Sequence, residues 1–341
     1  MSTTTAVQID GRQLSVPKGT SLLDAAVSTG IAIPTMCYRS DLKPYTSCML
    51  CLVANDADGK LHPACSTRAE DGMSIRTETD DVQDARTTAL ELLLSEHVGD
   101  CNGPCQRFCP AGMDIPTMLK QIADGQFEQA LRTVKHHIAL PATLGRICPA
   151  PCEKGCRRTK HDGAVSICLL KRFVADRDLF SKTPWQPKCK PTSGKHVAIV
   201  GTGPAGLGAA YELLQQGHAC TLIDSANKPG GELRKSICPT GLPEGVLDQE
   251  IGLIHDLGAN FRMNSHISEK GGIASLLATF DTVILATGPN SVVPGDLFDV
   301  AITERGIEVD DQGRTSQDRV YACGSAVRPV RIAIRALADG R

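Results

Sequence analysis

Eleven of the chain's 15 cysteines lie between Cys37 and Cys168, in short-spaced groups. Cys37, Cys48, Cys51 and Cys65 follow the pattern C-x10-C-x2-C-x13-C. Cys101, Cys105 and Cys109 stand in HVGDCNGPCQRFCP, with three residues between neighbours. Cys148, Cys152 and Cys156 stand in CPAPCEKGC, and Cys168 follows in AVSICLLKRF. Such a chain has to fold around whatever holds its thiols: disulfides, a metal, or redox chemistry. The start, MSTTTAVQID, lacks the basic and apolar stretches of a secretory signal. No apolar run reaches the ~18 residues that span a bilayer. A cytoplasmic location is therefore expected, where thiols stay reduced and metal is favoured over disulfide.

The 341 residues suit two or three domains, and 41% hydrophobic content allows real cores. Aromatic content of 4% leaves little for stacking on bases or sugars. A net charge of −2 provides no basic field to attract nucleic acid or an anionic membrane. Residues 69–100 are rich in Asp and Glu, and 146–182 in Lys and Arg. These read as two solvated faces that partly neutralise each other.

Three textures divide the chain. Residues 1–78 alternate short apolar runs with turns. AVQIDGRQLSV reads as a hairpin around Asp10 and Gly11, and CLVANDADGKLHPAC as another at Asp58 and Gly59. TSLLDAAVSTG reads as a helix capped by Thr20 or Ser21 and ended by Gly30. Residues 79–185 carry helical periodicity in VQDARTTALELLLSEH, IPTMLKQIADGQFEQALRTV and VSICLLKRFVADRDLF, with cysteine loops between. KTPWQPKCKPTSGK, 182–195, reads as a linker. Residues 190–341 then run strand, glycine loop, helix, strand, an α/β pattern. The expected class is multi-domain, α+β followed by α/β.

Four thiolates in the first group suit a [2Fe–2S] cluster, two on each iron. Zinc competes, because two cysteines two residues apart also make a zinc knuckle, and a structural thiol cluster is the blander alternative. The β-rich setting, with a helix before IPTMCYRSDLKPYTSCMLC, resembles the plant-type ferredoxin β-grasp fold. The spacing is most similar to the N-terminal module of the complex I large iron–sulfur subunit and of NAD-linked hydrogenases. That resemblance covers residues 5–78 and implies [2Fe–2S].

The remaining seven cysteines fall one short of the eight ligands that two [4Fe–4S] clusters need. His97, four residues before Cys101, is the candidate eighth, since imidazole replaces thiolate on iron in Rieske centres. Its competing reading is a histidine at a helix C-terminus, stabilised by the dipole. LLLSEHVGDC resembles the H-x3-C start of the complex I subunit. A cysteine before proline ligates the other cluster in bacterial two-cluster ferredoxins, so Cys109 should leave its neighbours. The expected sets are His97, Cys101, Cys105 and Cys156 for one cluster, and Cys109, Cys148, Cys152 and Cys168 for the other. CQRFCPAGMDIP, RICPAPCEKGC and AVSICLLKRF resemble the N-terminal helical domain of the glutamate synthase small subunit and dihydropyrimidine dehydrogenase. In that family the third cysteine of the second group returns to the first cluster, which supports Cys156 there. The family departs from this chain at the edges: it has cysteine where His97 stands, and its last ligand sits near Lys171. Cys168 is the better donor here, against the alternative of a buried core cysteine.

HVAIVGTGPAGLGAAYELLQQGHACTLID carries G-x-G-x-x-G at Gly201, Gly203 and Gly206, with Pro204 and Ala205 between. It follows a strand and opens a helix, and Asp224 ends the next strand. The glycines admit a pyrophosphate at the helix N-terminus, and Asp224 would accept from ribose hydroxyls. A plain βαβ unit is the alternative. KPGGELR, with Gly230, Gly231 and Arg234, ILATG, with Thr287 and Gly288, and IEVDDQGRTSQDRVYACGS resemble the FAD half of the glutamate synthase small subunit. That family inserts a second Rossmann domain for NADPH, where this chain has only about fifteen residues, 289–303. Its terminal Gly-Asp is Gly324 and Ser325 here, its Tyr-Gly-Ile-Pro is Lys235-Ser236-Ile237-Cys238-Pro239, and it continues past the position of Arg341 into a final helix. Cys189, Cys220, Cys238 and Cys323 have no ligand partners in sequence.

The resemblances imply an electron-transfer subunit of a larger oxidoreductase, with one [2Fe–2S], two [4Fe–4S] and one FAD. Partners in such assemblies are NADH-oxidising flavoprotein subunits, hydrogenases, formate dehydrogenases or synthase large subunits. The [2Fe–2S] module is the expected docking end. The alternatives are a self-contained FAD oxidoreductase acting on a small substrate, for which no acid–base pair or other catalytic residue stands out, and a non-redox scaffold.

Overall fold

The structure, a computed structural model, describes residues 3–97, 101–267, 272–289, 298–330 and 332–341. It divides into two compact units, Met1–Asp100 and Cys101–Arg341.

The first unit is a five-stranded mixed sheet in the order β2-β1-β5-β3-β4 with two helices. Strands β1 (Thr4–Ile9) and β2 (Arg12–Pro17) form the expected hairpin. Asp10 and Gly11 turn it with φ of 46° and 78°, the left-handed pair that matches strand twist. Asp10 then accepts from Thr77 N and Thr77 Oγ1, which fixes the end of β5 (Met73–Arg76). Ser21 caps α1 (Leu22–Val27) by accepting from Asp24 N. Strands β3 (Leu52–Asn55) and β4 (Lys60–Pro63) make the second hairpin. Helix α2 (Asp80–Ser95), expected at the start of the helical segment, packs on β3. The buried Arg86 guanidinium donates to Leu52 O from Nε and Nη2, and to Glu78. A charged side chain has no hydrophobic period, so this anchor was hidden.

Among the described residues, the second unit joins six helices of the helical segment to a parallel sheet over one apolar core. Met113, Met118 and Leu144 of the helical segment share that core with Ile199, Leu207 and Leu222 of the α/β segment. The helices are α3 (Pro104–Phe108), α4 (Ile115–Ala123), α5 (Phe127–Lys135), α6 (Pro141–Ile147), α7 (Pro151–Lys154) and α8 (Ile167–Leu179). The run IPTMLKQIADGQFEQALRTV is thus two helices, broken where Gly125 takes φ +75°. Then come β6 (His196–Val200), α9 (Pro204–Gln215), β7 (Ala219–Ile223), α10 (Glu244–Asp256), β8 (Asn260–Arg262), α11 (Gly272–Leu277) and β9 (Thr282–Leu285). A small hairpin, β10 (Ile302–Thr303) and β11 (Gly306–Ile307), precedes β12 (Val320–Ala322) and α12 (Ala333–Gly340). Of the short bridge 289–303, residues 290–297 lie outside the described ones. The sheet order β12-β9-β6-β7-β8 is a Rossmann order, with its switch point between β6 and β9.

Helix α12 runs to Gly340. It packs so closely on α9 that a Cβ at Gly208 would lie 2.5 Å from Leu337 O, and one at Gly340 2.0 Å from Ala205 O. No helix among the described residues is long and apolar enough to cross a membrane.

The helical and α/β segments are tied by polar groups as well. Tyr211 Oη donates to Lys135 O, and Arg341 donates to the carbonyls of His136 and His137. Glu250, on α10, is 3% exposed and accepts from Ala142 N at 2.6 Å and Thr143 N at 2.7 Å. These are the first free N–H groups of α6, because Pro141 has none. Burial outweighs these bonds and nearby Lys135, and pushes the Glu250 carboxyl from the usual 4.5 up to about 7.

A raised carboxyl pKa means that the folded state holds the proton longer, so this group's stabilisation is lost as pH rises towards and through 7. Urea unfolding should show wild type losing about 1 kcal/mol between pH 6 and pH 8 from this residue, a slope that Glu250→Gln flattens. Glu250→Ala should cost about 3 kcal/mol by stranding two buried N–H groups.

Candidate functional site

The β3–β4 hairpin explains the first cysteine group. Its register pairs Leu52 with Pro63, and Ala64 N donates to Cys51 O at 2.9 Å, so Cys51 lies opposite Ala64 at the open end, where its thiol meets that of Cys65. Cys48, Cys51 and Cys65 are buried and Cys37 is half-buried. Thr46 and Met49 hold φ of 53° and 56°, uncommon for residues other than glycine. These turns bring the Cys48 N–H to the Cys37 sulfur, which holds that thiol down at about 7. Burial pushes Cys65 up to about 12, and the Cys51, Cys37 and Cys48 sulfurs beside it add to the effect.

In the second unit, Cys109, Cys148, Cys152 and Cys168 line one small cavity, walled by Met113, Ile138, Ile167 and Ile334. Each was expected in this set. Cys148 caps the C-terminus of α6, and Cys168 lies in the first turn of α8. The two helices cross so tightly that a Cβ at Gly145 would lie 2.7 Å from Arg172 Cβ. Arg146 locks the crossing with a bidentate pair to Asp176 at 2.6 and 2.9 Å. Glu153 Oε1 accepts from Cys168 N at 2.8 Å and pins the start of α8. The Cys168 thiol interacts with those of Cys148 and Cys152, and the Ala150 N–H, turned by φ of 51°, reaches the Cys148 sulfur. The Cys168 contact and then burial push Cys148 far up.

Cys105 lies within electrostatic reach of both Cys156 and Cys109. Phe108 packs on Gly155 between them, where a Cβ would lie 2.6 Å from the ring. Cys101 opens the second unit and His97 belongs to the first; residues 98–100 lie outside the described ones. Among the described residues no group of three or more His, Cys, Asp or Glu side chains is spaced for a single metal ion.

A cleft of about 770 Å³ opens at the C-terminal ends of β6, β7 and β9, within the range of cofactor sites. Gly201, Gly203, Pro204, Ala205, Asp224, Gly231, Thr287, Gly288 and Ser325 line it. The glycines divide by role. A Cβ at Gly201 would lie 2.2 Å from Ala286 O, and one at Gly206 2.0 Å from Gly201 O, so these two close the turn. A Cβ at Gly203 would meet nothing, and would stand in the cleft at the N-terminus of α9. That is the cradle a pyrophosphate requires.

Gly206, Gly230, Arg234 and Gly324, expected as binding residues, stand behind the lining. Arg234 donates to Pro229 O and pairs with Glu244 and Asp248, which fixes the Gly230–Gly231 turn. Gly324 takes φ +65° against Ala205, where a Cβ would lie 2.7 Å from Ala205 Cβ. Asp224 already accepts from Thr202 N at 2.8 Å, Thr202 Oγ1 at 2.6 Å and Ala226 N at 2.9 Å, so it orders the glycine loop. Ser325 Oγ donates to Val330 O.

Sequence reasoning missed the far wall of the cleft: Ile147 and Pro149 from the helical segment, and Ile332, Ala333 and Ala336 around α12. Their only signal was adjacency to Cys148 and to the last strand. The two cavities therefore share a partition. Cys148 faces one while its neighbours Ile147 and Pro149 face the other, and Ile334 faces one while Ile332 and Ala333 face the other.

Three stretches of the chain are similar to known domain families. Residues 2–80 match the 2Fe-2S iron-sulfur cluster binding domain, 77–183 the dihydropyrimidine dehydrogenase domain II, 4Fe-4S cluster, and 199–269 the NAD(P)-binding Rossmann-like domain. The chain thus carries a 2Fe-2S domain, a 4Fe-4S domain and a nucleotide-binding fold. The NADP(+)-dependent formate dehydrogenase subunit beta of Moorella thermoacetica is 37% identical over 207 residues, 54% of this chain and 29% of that protein. The NAD-dependent dihydropyrimidine dehydrogenase subunit PreT of Escherichia coli is 32% identical over 252 residues, 73% of this chain and 61% of that one. The glutamate synthase [NADPH] small chain of Bacillus subtilis is 35% identical over 204 residues, 55% and 40%. The chain spans under a third of the formate dehydrogenase relative. An NAD+-reducing [NiFe]-hydrogenase structure shares 25% identity with a TM-score of 0.27, covering 30% of this chain and 43% of that one.

The two glycine roles separate experimentally. Gly203→Ala should leave thermal unfolding unchanged and lower bound dinucleotide at least tenfold, read from the cofactor released on denaturation. Gly206→Ala should destabilise the unit by about 1–3 kcal/mol, because a backbone oxygen cannot move aside.

Proposed function

We propose that this chain is an iron–sulfur flavoprotein subunit that relays electrons between an FAD and three clusters within a larger oxidoreductase. The observation that carries this reading is the shared partition. Cys148 belongs to a four-cysteine cavity, and the residues on either side of it line the nucleotide cleft. A group against a cluster has to pass single electrons. A flavin exchanges one or two electrons, whereas a nicotinamide transfers hydride, and this favours FAD in the cleft.

The residues present fit these groups. Four cysteines around an apolar cavity supply the thiolates of a cubane. The first unit, with its hairpin-end cysteines and helix α1 on a mixed sheet, suits the β-grasp form of a [2Fe–2S] carrier. Cys37, Cys48, Cys51 and Cys65 would hold that cluster. Cys109, Cys148, Cys152 and Cys168 would hold the [4Fe–4S] cluster beside the cleft. Cys101, Cys105 and Cys156 would hold the other, with His97 as fourth ligand on the strength of its spacing alone. The chain's own contributions are positional. Glu250 and Glu153 set the two helices that present Cys148 and Cys168. The N–H groups of Cys48 and Ala150 turn towards sulfur, where they stabilise negative charge. Gly203 and the α9 terminus receive the pyrophosphate, and apolar Ile147, Pro149 and Ile332 exclude water from the partition. Partners are redox subunits that deliver or accept the electrons, of the NADH-oxidising, hydrogenase, formate dehydrogenase or synthase type.

Anaerobically purified protein should contain about ten irons with matching sulfide, and three distinguishable reduced EPR signals. Cys148→Ser should remove one cubane signal, keep the flavin, and slow flavin-to-cluster transfer at least a hundredfold. His97→Ala should remove a different cubane signal. About four zincs, or no iron, would overturn the proposal. NADPH-driven flavin reduction by the isolated chain would favour a self-contained enzyme.

A further inference from the structure

The four-cysteine cavity has a fifth polar wall. Lys171, one helical turn beyond Cys168 on α8, lines it and is 3% exposed. The Lys171 ammonium makes no hydrogen bond and no ion pair with any described residue, unlike the buried lysine at 135, which pairs with Asp178 and donates to Trp185 O. Its charge acts on the sulfurs of Cys148, Cys152 and Cys168 together. A cation held at an apolar wall is costly unless a negative group lies opposite. The other charged groups of these helices are engaged elsewhere: Arg146 and Arg172 with Asp176, and Glu153 with the Cys168 N–H.

The geometry points to Lys171 as a tuning residue that raises the reduction potential of the cluster in this cavity. The inference rests on the reading of these cysteines as one cluster's ligands. A four-thiolate cubane is an anion, and each reduction adds one electron and one further negative charge, with no bond made or broken. A fixed cation at the cavity wall favours the more negative state. Its effect is large in the apolar surroundings of Met113, Ile138, Ile167 and Ile334, where charges are weakly screened. Charge and burial are among the levers by which a protein sets cluster potential. Lys171 does not touch the cleft, so it biases electrons towards this cluster without altering nucleotide binding.

The test is an EPR-monitored redox titration of the full-length holoprotein as wild type, Lys171→Gln, Lys171→Met and Lys171→Arg. The Gln and Met variants should lower the reduced-to-oxidised ratio of this one cluster at least tenfold at a fixed potential, about 59 mV for a one-electron couple. The flavin midpoint and the other two signals should stay in place, and Arg should stay within threefold of wild type. An unmoved midpoint in Gln and Met with iron content intact would overturn the inference. So would an Arg variant that falls as far as Gln, since packing rather than charge would then be responsible. If wild type shows no cubane signal that Cys148→Ser removes, the cluster reading itself fails, a result separate from either.

Discussion

The second unit depends on one buried carboxylate. Glu250 sits on a crossover helix of the parallel sheet, and its oxygens end on the first free N–H groups of α6. That bond fixes where α6 begins, and a seven-residue helix then fixes where Cys148 falls. One residue of slip would move Cys148 by about 1.5 Å and a quarter-turn or more about the axis. Arg146 opposes that rotation through Asp176. The position of a sulfur is thereby tied to the position of a β-sheet, and the thin partition between the two cavities is a result of that tie.

On the reading proposed above, the molecule handles negative charge in two ways. At the cleft it uses partial charges, the N-terminus of α9 and a bare Gly203 backbone. At the cysteine cavity it uses a full charge, from Lys171, together with backbone N–H groups turned by uncommon dihedrals at Ala150. Partial charges suit a ligand that arrives with its own solvation and has to bind by shape. A full charge suits a group whose own charge changes, because the fixed cation then weighs differently on its two states. The small overall net charge hides this division, since neither device contributes to a surface field.

Much of this was legible in the sequence for identifiable reasons. Cysteines at short, regular spacing, and glycines between a strand and a helix, are local patterns, and their neighbours in sequence are their neighbours in space. The hairpins at Asp10 and Asp58 were readable for the same cause. What stayed hidden is long-range. Glu250 lies 107 residues from Thr143 and reads as one more surface charge on an amphipathic helix. Arg86 ties α2 to the first sheet through a carbonyl, which no periodicity reports. Asp224 carries the expected acidic signature, yet its oxygens are spent on Thr202 and Ala226. The wall supplied by Ile332 and Ala333 comes from the start of a helix far along the chain from the glycine loop.

The common core of Met113, Leu144, Ile199 and Leu222 has a consequence for how such chains are assembled over generations. The proline-rich stretch 182–195 looks like a hinge between modules, but cutting there would strip apolar surface from both halves. Among the described residues, the main core cluster of the first unit draws on residues between Val7 and Ile75. Recombination can therefore trade the front module intact, while everything after it is inherited or lost as a block.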